Sequence, residues 1–550
     1  MKIKKSKTLM ILLALVVVVL YVFVNSVNLN PLYAEGAFFW AVLISAICFF
    51  WVVVTFWEFI SARLQDQPQH GGPFYLFSGL RIPKTVFVVA AIPWIYIVVM
   101  TVISTPLISY NGYRNQLGET EKRTFSSDIQ VVDTTQLPIV DAELALKLAD
   151  KKLGEKPSLG SQVMLGEPTL QMVAGNLTWA VPLHHSGLFK WLTNMEGTPG
   201  YVTVSATNVN DVKYVEDYRI KYQPNSFLLD DLLRHARFSG GLFNGLTDYS
   251  FELDDTGKPY WVISTYKNTA GFALPEATGV MLVDAGSGAI QKHTMDNIPD
   301  WVDRVQPEDF IIRQIDNRGE YVHGIFNFAN KDKYRASRGS AIVYNEGECY
   351  LLTCITSVGT DESAIGFMMV DMVTKKSHLY EMSGATESSA QRSAEGKVQH
   401  LGYRASFPII INVSGQPTYF MTLKDKEGLI KQYALVSVVN YSTVGTGETV
   451  AQAMSDYHKA LSNDSSVNIG GELQTIEVIG TVSRIASEFN GDTTVYKLML
   501  TEYPRKIFLA EAGTSNHLAL TQVGDKVKLS YRESDLEAVL CTTFENQTIR

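Results

Sequence analysis

Cysteine is close to missing from this chain, with four in 550 residues. Cys48 lies inside a hydrophobic run, and Cys349, Cys354 and Cys541 allow at most one bridge, which excludes a disulfide framework. Cys349 and Cys354 stand five apart in one apparent strand, Glu348 to Ile355, so they point to opposite faces and read as buried free thiols. An excess of basic charge is missing too. A net charge of -9 and a pI near 5.7 argue against a general nucleic-acid binder, which needs a basic face to displace counterions from phosphates. The signatures of familiar enzymes are also missing: there is no H-E-x-x-H, C-x-x-C, G-x-S-x-G, G-x-x-x-x-G-K-[ST] or EF-hand spacing. One S-x-x-K occurs, Ser264 to Lys267, but in a strand-like run where residues three apart face opposite sides, so the lysine cannot activate the serine. The histidines are dispersed apart from His184-His185, whose side chains diverge in a strand and make a poor two-ligand metal site. The sequence thus points to no catalytic residue, no metal and no cofactor, and the chain reads as a non-enzyme.

Hydrophobic runs are plentiful, but only at the N-terminus. Thr8 to Val24, Ala37 to Ile60 and Thr85 to Ile108 have the length of transmembrane helices, since a bilayer core of about 30 Å needs about 20 helical residues. No convincing small-residue cleavage site precedes Ala34, so the first run is read as a retained span. Lys2, Lys4, Lys5 and Lys7 precede the first run, the loop Asn25 to Gly36 has no lysine or arginine, and the second loop carries Arg63, Arg81 and Lys84. By the positive-inside rule the N-terminus and second loop are cytoplasmic, and everything from about residue 109 is extracytoplasmic, although Arg114, Lys122 and Arg123 follow the third exit. The expectation is a multi-pass protein of the cell membrane with three transmembrane α-helices over residues 1–110 and a linker over 111–137.

After the linker one pattern occurs four times: an amphipathic helix-like stretch, a hairpin around a glycine turn, and a second hairpin opening on a Val-rich strand. The helices begin near Asp141, Ser226, Pro307 and Thr386, the first turns fall at Gly175, Gly257, Gly347 and Gly415, and the later strands align on Val204, Val283, Val370 and Val436. In the second copy, Val283, Asp284 and Gly288 of VDAGSG match the V-D-x-x-T-G closing turn of the PepSY domain, with Ser287 replacing threonine. Val370 and Asp371 keep the V-D pair without the glycine, and Ser205 and Ser437 stand where the first and fourth copies would carry aspartate. On these residues the segment from Pro138 to Leu461 resembles tandem PepSY-like units, at 138–225, 226–298, 299–383 and 384–462. The resemblance implies an α+β ectodomain of helix-plus-antiparallel-sheet units that inhibit or modulate peptidases or bind other molecules outside the cytoplasm.

Asn463 to Gly471 is a polar, glycine-ended linker. Five short strand-like runs follow it over 471–550, with a helical turn expected around Asn516 to Thr521, and this segment resembles an all-β OB-fold barrel. Its eight basic residues face eleven acids, which disfavours nucleic acid as its ligand and favours a protein-binding or spacer role. One interval breaks the repeat: Pro299 to Tyr334 places Trp301, Tyr321, Phe326 and Phe328 beside Asp303, Arg304 and His323, the mixture of apolar anchors and polar rim that an interface requires. The functional expectation is a membrane-anchored scaffold or regulator that binds another protein or an envelope component and self-assembles. Two alternatives remain: an envelope enzyme or direct peptidase inhibitor using 299–334, and a structural subunit of a transport or secretion complex.

Overall fold

The protein is described from a computed structural model, over residues 2–65, 82–129, 137–358, 363–462, 475–490, 493–532 and 538–549. It divides into two compact units, 1–464 and 465–550.

The first unit opens with helices α1 (Lys2–Asn25), α2 (Ala34–Gln65) and α3 (Lys84–Ile103). Among the described residues two stretches are long and apolar enough to cross a membrane, Ala34–Ser61 and Lys84–Ile103, while α1 carries a shorter apolar stretch, Met10–Asn25. The third run ends earlier than its composition suggests. Thr105 is extended (φ -76°, ψ 148°) and a new helix, α4 (Pro106–Asn115), starts at once. Pro106 has no N–H to continue the ladder and disfavours helical backbone before it, so the apolar letters up to Ile108 belong to α4.

Four helix-and-sheet modules follow. Module 1 pairs α5 (Ala142–Gly154) with strands β1 (Thr169–Val173), β2 (Asn176–His185), β3 (Thr198–Ser205) and β4 (Val212–Ile220). A six-residue helix, α6 (Leu188–Thr193), interrupts its loop between β2 and β3. Module 2 has α7 (Leu232–Ala236) with β5 (Gly245–Leu253), β6 (Pro259–Ala270), β7 (Ala273–Asp284) and β8 (Ile290–Thr294). Module 3 has α8 (Glu308–Glu320) with β9 (Ala341–Asn345), β10 (Glu348–Ser357), β11 (Ser363–Asp371) and β12 (Ser377–Ala385). Module 4 has α9 (Glu387–Lys397) with β13 (Ile409–Val413), β14 (Gln416–Lys424), β15 (Ile430–Ser437) and β16 (Val444–Gly447), and α10 (Val450–Ser462) closes it.

Each module is an antiparallel meander in chain order. The first hairpin of each turns on a glycine with positive φ, +79° at Gly175, +83° at Gly257, +88° at Gly347 and +80° at Gly415, a conformation costly to any residue with a Cβ. Three of the four module helices, all but α8 with Pro307 before it, start where a short polar side chain can hold a free N–H. Asp141 accepts from the Leu144 amide at 3.0 Å, Asp231 from Arg234 at 2.9 Å and Thr386 from Ser389 at 3.4 Å. On α5, Leu144, Ala145, Ala149 and Leu153 form one stripe buried against Val181, Leu183, Val202 and Val204. Each leucine so buried contributes about 2 kcal/mol.

The second module departs from its expected helix over SFLLDDLLRHARF. Leu228–Asp230 is a 3₁₀ turn, Leu228 has φ +50°, and only five residues remain α-helical. The paired aspartates account for the break: Asp230 turns inward to accept the Trp191 indole N–H at 2.8 Å, while Asp231 caps α7.

In the second unit, strands β17 (Thr475–Asn490), β18 (Thr493–Leu500), β19 (Tyr503–Glu511), β20 (Lys526–Arg532) and β21 (Ala538–Asn546) pair in the order β17-β18-β19-β21-β20, which returns to β17. The sixteen-residue β17 serves both neighbours, its first half pairing with β20 and its second with β18. Val478, Leu498, Phe508, Leu529 and Val539 fill the interior. A 3₁₀ turn at Leu518–Leu520 stands where the sequence suggested a helical turn.

Candidate binding cavity

The segment from Pro299 to Gln306 leaves module 2 and leads into α8. Val302 and Val305 anchor it by burying themselves against Val262, Val280 and Leu282, and this leaves Asp303 and Arg304 to contact other modules. Asp303 Oδ2 accepts from the Met172 amide of module 1 at 3.0 Å and from the Tyr344 hydroxyl of module 3 at 2.8 Å. The Asp303 amide donates to Glu252 Oε2 of module 2 at 3.0 Å. Beside it, the buried Gln171 amide bridges the Leu253 and Trp301 carbonyls at 2.7 and 3.2 Å, and the Trp301 ring lies 5.0 Å from Tyr260. One short segment therefore ties three modules through polar side chains.

The electrostatics follow from burial. Glu252 is pushed up to about 8 by loss of water and, secondly, by the Asp303 charge, so it keeps its proton at neutral pH. Burial also raises Asp303, against the amide and hydroxyl donors that favour its anion. The Cys349 thiol beside them is pushed up to about 12 by burial, which makes it a packing residue rather than a nucleophile.

Next to this junction lies a cavity of about 620 Å³ between modules 1, 2 and 3. Its walls include Glu167 and His184 from module 1, Asp248, Tyr249 and Trp261 from module 2, and Arg304 and Glu308 from the junction and α8. Three buried polar atoms on residues of this wall have no hydrogen-bond partner among the described residues: Arg304 Nε, His184 Nε2 and Gln306 Oε1. Arg304 reaches Glu308 at only 3.7 Å and the Leu170 carbonyl at 3.5 Å. Glu308 is raised by burial and by its neighbours Asp248, Asp309 and Glu167, and lowered by Arg304. His184 is lowered to about 4 by burial and stays neutral. The wall thus offers a guanidinium N–H, an amide oxygen and a carboxylate to a polar ligand.

The seven residues singled out in the sequence do not gather at one place. Trp301, Asp303 and Arg304 form the junction. Tyr321 lies beyond α8, its ring edge-on to Tyr110 and Tyr113 of α4 at 6.0 and 5.9 Å. His323 pairs with Asp332 at 2.7 Å, and Phe326 and Phe328 stand 76% and 84% exposed, their rings 6.1 Å apart. Ser264 is buried and donates to the Val305 carbonyl at 2.9 Å, while Lys267 is exposed. Sequence reasoning missed Glu252, Gln306 and Tyr344, and weighed His184 only as half of a poor metal pair. Glu252 carried the one available signal, an acid amid the apolar letters of FEL, where all three residues are buried. Among the described residues, no group of three or more His, Cys, Asp or Glu side chains is placed to hold a metal ion. Compared with known proteins, the chain matches no family model and no curated sequence.

Proposed function

We propose that this protein is a membrane-anchored extracytoplasmic scaffold or regulator that binds an envelope partner in the cavity between its first three modules. The observation that carries the reading is the contrast at the junction: Asp303 Oδ2 and the Gln171 side chain have their hydrogen bonds, while Arg304, His184 and Gln306 on the adjoining wall each keep a buried polar atom without a partner among the described residues. Buried polar groups left without a partner cost about 1–3 kcal/mol each, and a ligand that satisfies them recovers that cost. The mixed wall suits a polar group of another protein, such as a chain terminus. In this reading α1, α2 and α3 all span the membrane with the N-terminus inside, the four modules are PepSY-like, and the terminal strands form an OB-like barrel that binds protein or acts as a spacer. The anchor of several helices suits lateral self-assembly.

The test is photo-crosslinking in intact cells from Tyr249, on the cavity wall. A single stoichiometric adduct, lost when Arg304→Ala is added, is expected. A chain that gives no adduct with any protein or envelope component would sink the reading. The exposed Phe326 and Phe328 support a second contact, with an enzyme partner docking on that loop. Membrane-impermeant maleimide applied to single cysteines in the second loop and in the barrel tests the topology: the barrel should label and the loop should not.

A further inference from the structure

A second cavity, of about 610 Å³, lies where module 2 meets the outer ends of the apolar helices. Its floor is the loop between α1 and α2. The Leu29 amide donates to the Leu242 carbonyl at 3.0 Å, Asn30 Nδ2 to the Phe243 carbonyl at 2.9 Å and the Tyr33 hydroxyl to the Tyr266 carbonyl at 2.6 Å. On its far side the wall residue Phe272 is tied to the end of α3, its amide donating to Ser104 Oγ at 2.7 Å. Arg237 forms part of the wall and is 5% exposed. Its Nη1 donates to the Gly241 and Asn244 carbonyls, but Nε has no partner, and no carboxylate pairs with the guanidinium among the described residues. Glu35, the one acid on this wall, acts on it only at longer range. Arg313 of α8 lines the same cavity and, among the described residues, makes one hydrogen bond, to the Asp309 carbonyl of its own helix. A buried guanidinium with no counter-charge in contact is among the costliest groups a fold can hold, and it calls for an anion.

The surroundings say where that anion comes from. Phe238 and Phe243, 42% and 57% exposed, flank the turn that begins at Arg237, and the Phe238 ring lies 5.5 Å from Phe23, two residues before the end of α1. Arg234 bonds the Phe23 and Val24 carbonyls. The turn thus stands at the level of the helix ends, with apolar side chains facing outward and basic ones beside them, the pattern of a segment seated at a headgroup layer.

We propose that this second cavity binds the phosphate group of an anionic lipid headgroup, held by the fork of Arg237 with Arg313 as the second cation. The inference rests on reading α2 and α3 as membrane spans. It also gives the junction between membrane and module a ligand that no contact within the chain supplies.

The test is native mass spectrometry of the full-length protein in detergent, titrated separately with phosphatidylglycerol, phosphatidylcholine and inorganic phosphate. Wild type should retain phosphatidylglycerol over phosphatidylcholine, and Arg237→Gln should weaken that retention about tenfold, the scale of losing a charge-assisted fork. Arg237-dependent binding of inorganic phosphate, without lipid, would keep the phosphate site and assign it to a soluble ligand. Adducts that do not depend on Arg237 would overturn the proposal. If Arg237→Gln does not fold, Arg313→Gln decides in the same way, unchanged adducts overturning it. Protein that stays soluble without detergent would instead remove the spanning reading on which the site depends.

Discussion

Replacing Asp303 with alanine should loosen the junction of the first three modules. The side chain is 9% exposed and accepts two hydrogen bonds, from the Met172 amide and the Tyr344 hydroxyl; Asp303→Ala strands the Met172 donor, while the Tyr344 hydroxyl can turn to the Leu170 carbonyl at 3.0 Å. Each stranded buried donor costs about 1–3 kcal/mol. Removing a buried carboxylate gives some of this back, because burial holds Asp303 above its ordinary range and the Asp303 charge adds to the burial that raises Glu252. A net loss of about 1–2 kcal/mol follows, and at 1.4 kcal/mol per tenfold this speeds local opening by roughly 5- to 30-fold. The assay is amide hydrogen exchange on the full chain, read at Met172 in β1. Asp303→Asn keeps an acceptor oxygen and sheds the charge, so it should lose much less protection. Met172 exchange in Asp303→Ala no faster than in wild type would refute the assignment of Asp303 as the tie between modules.

Three further outcomes follow from the same physical arguments. Glu252 has a folded pKa of about 8, above its ordinary 4.5, so its contribution is fully present below about pH 4.5 and is lost as pH rises through 8. Thermal unfolding should therefore show wild type losing stability across that window relative to Glu252→Gln, and parallel pH profiles for the two would contradict it. Leu144→Ala empties a site in the stripe of α5 and should cost about 2–4 kcal/mol in denaturant unfolding of module 1, with a loss below 1 kcal/mol pointing to a loosely packed helix. Cys349 and Cys541, both pushed up to about 12 by burial, should react with a small maleimide only when the chain is denatured, and rapid labelling of the folded protein would be inconsistent with their burial.

Local structure was legible wherever the signal was itself local. Asp141 and Thr386 announce their helices as short polar caps, and the four turn glycines announce their hairpins because the positive φ is a property of one residue. The failures came where two signals competed. The apolar letters through Ile108 continue past a proline that breaks the helix, and the apolar stripe after Ser226 continues past an aspartate drawn inward by Trp191. The cavity was less legible still. Asp303 and Arg304 stand out by composition, but Met172, Glu252 and Tyr344 reach them from three separate modules, at separations that no periodicity encodes. Proximity in sequence misled in the other direction. The thirteen residues of α8 lie between Arg304 and Tyr321, and at 1.5 Å per residue they span about 20 Å.

Helix α9 begins module 4, yet Ala390 and Ala394 are buried in a core that also holds Phe367 and Tyr380 of module 3 and Tyr419 of module 4. The Glu387 carboxylate at its start accepts from the Cys354 amide of β10 and from Ser337, both at 2.9 Å. Repeat arrays are usually shortened or lengthened one copy at a time, because each copy closes its own core and meets its neighbours across a thin seam. Here the seam runs through the helix, so excising module 4 would strip a wall from module 3. Expression fragments cut near residue 386 should aggregate, and these two modules can be gained or lost only as a pair.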